Sequence, residues 1–108
     1  MKICYANSKV EKLLTSRKEL SKFISNVSVI NDLNILMTNL KTFKHLKDFY
    51  TIPVLKHYKL HDLYGDKNGI KSLCIKQGYR LTLTLILETI NDNEDEIKIL
   101  EVTKHYGD

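Results

Sequence analysis

Residues 79–88 constrain this chain more than any other stretch. Tyr79, Leu81, Leu83, Leu85 and Leu87 alternate with Arg80, Thr82, Thr84, Ile86 and Glu88. A strict period of two is the signature of a strand with one buried face. A slip of one residue would carry all four leucines into water, so register and face are both specified. The chain must therefore supply a sheet around this strand and an apolar layer to cover its leucines.

The covering layer is legible upstream. Ser8-Lys9-Val10-Glu11 has the form of a capping box, with Val10, Leu13 and Leu14 on one face behind it. Ser16-Arg17-Lys18-Glu19 offers a second box. After it, Leu20, Phe23, Ile24, Val27, Ile30, Leu33, Met37 and Leu40 recur at helical spacing. The pattern predicts a short helix over about 9–15 and a long one over about 17–42. Asn26, Ser28 and the β-branched Val27, Val29 and Ile30 weaken the long helix, with a break between 26 and 31 as an open alternative. Residues 43–52 read as one more helical turn, ending near Pro53, the only proline.

Before Pro53 the pattern is helical; after it, extended. Strands are expected at Lys2–Tyr5, Ile70–Lys76, Tyr79–Glu88 and Glu96–Thr103, with Lys59–Leu63 a further candidate. Turns are expected at Tyr64–Gly69, Gln77-Gly78 and Asn91–Asp95. The order β-α-α-β-β-β implies an α+β fold over 1–108 as one domain: N-terminal helices on a curved, mainly antiparallel sheet of about four strands.

Charge narrows the function. The net charge is +4, but residues 1–40 carry +3, residues 41–80 carry +6 and residues 81–108 carry −5. His45, His57 and His61 share the basic middle. A basic middle favours an anionic partner, with nucleic acid the commonest; a solvated lysine-rich surface gives the same count. Cys4 and Cys74 stand apart from any CxxC or Cys/His cluster and read as small apolar strand residues. Asp62, Asp66 and His61 read as a solvated turn, so neither metal nor cofactor is expected. Met1–Tyr5 lack the apolar stretch of a signal peptide, and the longest apolar run is too short to span a membrane, which makes the cytoplasm the expected location.

Strand parity places Arg80 away from the leucine core. The preceding strand can bring Lys76 or Ser72 to the same surface, and the last strand puts Glu101, Thr103 and His105 on one face and Leu100 and Val102 on the other. Arginine, lysine, histidine and tyrosine together suit RNA cleavage without metal. A base takes the 2′-hydroxyl proton, an acid protonates the leaving 5′-oxygen, and cations stabilise the phosphorane.

Leu60-His61-Asp62-Leu63-Tyr64-Gly65-Asp66-Lys67-Asn68-Gly69 resembles the L-H-x-L-x-G-D-R-x-G segment of HigB-type killer proteins, toxins of the RelE/ParE superfamily. Ser72–Ile75, the Tyr79-Arg80 pair and the end Glu101–Asp108 follow at family spacing, and the opening Met1-Lys2-Ile3 strand and the two early helices also fit, so the resemblance covers nearly the whole chain. It implies a RelE-like fold and an mRNA interferase acting in the cytoplasm, usually on the ribosome. It also implies a HigA-like helix-turn-helix antitoxin as partner, with operator DNA reached only through that antitoxin. Arg80 matches the family's arginine. Lys67 stands where arginine is usual, His105-Tyr106 reverses the order of relatives ending in Tyr-His, and Lys104 occupies a position that is acidic in some relatives. The general base is thus open among His105, Tyr106, Lys71 and Glu101, with His105 ranked first because imidazole side chains titrate near neutral pH. Catalytic candidates are Arg80, His105, Tyr106 and Lys71; RNA-binding candidates are Lys59, His61, Lys67 and Lys76. The alternatives are a ParE-like toxin that poisons DNA gyrase without nuclease chemistry, and an inactive chain acting within an antitoxin–DNA complex.

Overall fold

The computed structural model describes residues 1–63, 69–77 and 81–106, apart from the side chains of Gln77 and Tyr106. The expected turns at Tyr64–Gly69 (but for Gly69) and Gln77-Gly78 (but for Gln77, which ends a strand), and the first two residues of the expected Tyr79 strand, lie outside the described residues.

Among the described residues the fold is α+β, with five strands rather than about four. They are β1 (Lys2–Tyr5), β2 (His61–Asp62), β3 (Ile70–Gln77), β4 (Leu81–Thr89) and β5 (Glu96–Tyr106). Their spatial order is β1-β5-β4-β3-β2. β2 to β5 form an antiparallel meander, and β1 joins the far side parallel to β5. Leu81, Leu83, Leu85 and Leu87 are all buried, while Thr82, Thr84, Ile86 and Glu88 are half-buried. On the neighbours, Leu73 and Ile75 stand opposite Leu85 and Leu83 and are buried with them.

β5 departs from simple alternation. Ile86 pairs with Glu101 but Leu87 pairs with Ile99, which leaves Leu100 as an extra residue in a bulge. The buried set on β5 is accordingly Ile97, Ile99 and Val102. Leu100 is half-buried and does not continue the Val102 face as the sequence suggested.

The expected long helix is two helices. α1 spans Ser8–Thr15, α2 Arg17–Phe23 and α3 Val27–Thr42. Ile24 is extended and almost wholly buried, so its side chain enters the core where the helix stops. Asn26 restarts it by accepting from the Val29 amide at 3.3 Å. Ser16 caps α2 as expected, accepting from the Glu19 amide. The cap of α1 is Asn7, which accepts from Val10, and not Ser8.

α4 is only Asp48–Thr51, and Pro53 opens a 3₁₀ helix, Pro53–Tyr58. Proline suits a first helical position because its missing N–H has no partner there anyway. Lys59 then turns left-handed with φ 53°, so the strand expected from Lys59 shrinks to the two residues of β2. The apolar side chains of helices and sheet form one contiguous cluster, with Phe49 packed between Phe43 and Tyr58. Among the described residues, no helix is long and apolar enough to cross a membrane.

Candidate functional site

The helices cover one face of the sheet. The other face carries polar side chains in cross-strand rows set by the register. One row is Lys76–Thr82–His105, the next Cys74–Thr84–Thr103, and the third His61–Ser72–Ile86–Glu101. Lys76 and His105 are both exposed. They flank Thr82 across three adjacent strands, a span of roughly 10 Å at ordinary strand spacing. A row of that length, cation at one end and imidazole at the other with a hydroxyl between, can bracket a phosphodiester.

His61 lies on this face but away from that row. It is two rows along and three strands across from His105, roughly 20 Å on the diagonal. Its Nδ1 lies 3.0 Å from the Lys59 carbonyl oxygen, and the Ser72 hydroxyl lies 3.0 Å from Nε2. With Nδ1–H donating to the carbonyl, Nε2 accepts from Ser72. Ser72 is nearly fully buried, so its hydroxyl is satisfied by this ring.

Lys71 is elsewhere. It shares the parity of Leu73 and Ile75, stands opposite Leu87, and is only 7% exposed. Its ammonium is bonded to the Asp62 carboxylate, and the Tyr50 ring lies 5.8 Å from Nζ. Burial disfavours the charge, but the Asp62 hydrogen bond and the Tyr50 and Asp62 fields outweigh it and raise the Lys71 pKa above the ordinary lysine value. Burial also raises Tyr50, with Lys71 opposing and Asp62 reinforcing. Lys71 thus sits on the opposite face from Lys76 and His105 and is held as an ammonium.

Lys59 and Lys76 line one groove of about 440 Å³ between α3, the 3₁₀ helix and β3, with His57, Ile35 and Val54 on its walls. The backbone of Tyr106 stands opposite Leu81, one register step from His105. Arg80 and Lys67 lie outside the described residues. Four contacts are not foreshadowed by the sequence. Asp62, expected in a solvated turn, carries the Lys71 pair, Tyr50 donates to Asp62 at 3.4 Å, and Ser72 meets His61. Lys104, on the helix-facing side, donates to the Phe23 carbonyl at 2.7 Å and lies 4.6 Å over the Phe23 ring, tying the end of β5 to α2. The parity of Leu73 and Ile75 is the signal that could have placed Lys71.

Among the described residues, no three His, Cys, Asp or Glu side chains cluster as metal ligands. No family model, curated protein or solved structure matches the chain.

Proposed function

We propose that the chain is a ribonuclease that cleaves RNA without a metal ion, using the uncovered sheet face. More particularly, we read it as a HigB-type toxin of the RelE/ParE superfamily: an mRNA interferase of the cytoplasm, acting on the ribosome and neutralised by a HigA-like antitoxin. The observation that carries this reading is the Lys76–Thr82–His105 row, exposed at both ends. Its middle member lies on the strand whose sequence runs back to Tyr79-Arg80, and its last member belongs to the His105-Tyr106 end that resembles the family. The chemistry follows from general acid–base catalysis at a phosphodiester. His105 exchanges the proton of the 2′-hydroxyl or of the leaving 5′-oxygen. Arg80 supplies positive charge to the phosphorane, and Lys76 holds the RNA backbone beside it.

The test is expression of the chain alone and with the helix-turn-helix protein encoded beside it. Growth arrest relieved by that partner, with new 5′ ends inside coding sequences by primer extension and persistent cleavage in chelator, is the expected outcome. Arrest with intact mRNA and damaged DNA would replace the reading with gyrase poisoning.

A further inference from the structure

β2 is too short to hold itself in place. It pairs with β3 at His61–Ser72 and Asp62–Lys71, and the Leu63 amide adds one bond to the Ile70 carbonyl at 2.8 Å. A pairing of that length is marginal in water. What distinguishes it is a side-chain contact on each face of the same two-residue segment. On the helix-facing side Lys71 bonds Asp62, and the Tyr50 hydroxyl, from α4, donates to the same carboxylate oxygen. On the outer side Ser72 meets the His61 ring. His61 and Asp62 are consecutive, and successive strand residues face opposite ways. Fixing Asp62 toward α4 therefore fixes His61 toward the outer face.

We propose that Asp62, Lys71 and Tyr50 form a positioning clamp that holds His61 in one orientation on the outer face and couples that orientation to α4. Lys71 is its buried member, and Asp62 and Tyr50 close over it from the surface. Lys71, buried and held as an ammonium, positions the edge of the sheet and is no acid–base catalyst. Its near-complete burial makes the carboxylate obligatory, because a buried charge stripped of its partner is strongly unfavourable. The clamp stands on geometry; only its consequence for cleavage rests on the RNA reading.

Lys71→Met is the primary variant, since an apolar chain of similar length fits the same face beside Leu87. Asp62→Asn is the second, because it keeps an acceptor for Lys71 and protects folding. Both are followed by ¹⁵N spectra of the His61 ring and by amide exchange at Leu63. In the clamped protein His61 shows one Nδ1–H tautomer and Leu63 is protected. In Lys71→Met the Leu63 amide should exchange at least about tenfold faster, the tautomer signature should be lost, and β4 amides should stay protected. Asp62→Asn should give a smaller change in the same direction. Asp62→Ala should cost less in the Lys71→Met background than alone, because the two share one ion pair. Unchanged Leu63 protection and an unchanged ring signature in a folded variant would overturn the clamp. With RNA, Lys71→Met should raise KM with kcat held, because His61 is an RNA-binding candidate that stands away from the Lys76–Thr82–His105 row. A wild-type chain that cleaves no RNA defeats the ribonuclease reading, while the His61 spectra and Leu63 exchange still decide for or against the clamp.

Discussion

At the residue scale, parity carries most of what can be read. The leucine face of β4 is legible because all four of its members are large and apolar, and burial of Leu81, Leu83, Leu85 and Leu87 follows. The outward placement of Lys76 and His105 follows from the same argument. Lys71 is harder to place because Ser72, on the opposite parity, is buried too, which blurs the alternation. Only a carboxylate from another strand makes an inward lysine tolerable, and cross-strand partners are not written in local sequence. Two variants separate the roles on the outer face. Lys76→Ala should weaken RNA binding across sequences and lower the slope of log affinity against log salt by about one, as loss of one phosphate contact does. Arg80→Ala should leave binding closer to wild type and lower single-turnover cleavage by roughly 100-fold, the scale of a lost charged contact to the transition state. Filter binding over a salt series and single-turnover cleavage on both variants check this. A salt slope unchanged in Lys76→Ala would remove that lysine from the interface.

At the element scale, element types are more legible than their ends. Helix caps compete locally, and adjacent Asn7 and Ser8 are both good cap residues. The choice falls to Asn7, whose side chain accepts from Val10 at 2.9 Å, with the helix beginning at Ser8. Asn7→Ala should therefore cost about 1 kcal/mol, whereas Ser8→Ala should stay within about 0.5 kcal/mol. Urea unfolding of the two variants decides it, and the reverse order would restore the box at Ser8. The break before α3 has a sequence signal in Asn26 and the β-branched run after it. The burial of Ile24 that fills the gap has none, since it depends on what packs there. Gly69 is constrained from outside as well. Its φ is +66°, and an added Cβ would lie 2.9 Å from the Thr89 hydroxyl oxygen, so this turn end accepts glycine for both backbone and space.

At the scale of the whole molecule, the sequence specifies faces but not neighbours. Period-two patterns in β1 and β5 say which side is apolar; they do not say that the two lie parallel, because that pairing joins residues more than 90 positions apart. The bulge at Leu100 escapes for the same reason, being defined only against β4. Long-range packing also sets how stability responds to pH. Burial raises the pKa of Tyr5, with Glu11 adding to it, and of Tyr58, with Asp32 adding and the Asn39 hydrogen bond opposing. Tyr50 and Lys71 are raised as well. Each of these groups binds its proton more tightly folded than unfolded. Stability therefore falls as pH rises, since the unfolded chain releases protons that the folded chain retains. The Lys71 contribution is complete below the ordinary lysine value and is lost above it. The three tyrosines act in the same direction above about pH 10. The unfolding midpoint in urea should thus hold through neutral pH and drop steeply in alkali. Tyr58→Phe gives the internal check. Tyr58 is almost wholly buried and its hydroxyl accepts from Asn39 at 3.2 Å, so the variant should be less stable by about 1 kcal/mol near neutrality. Phenylalanine has no proton to lose, so the gap between the two proteins should narrow as the pH passes about 10. A gap that stays constant or widens in alkali would mean that Tyr58 ionises as easily in the folded chain as in the unfolded one, and that its burial does not govern its titration.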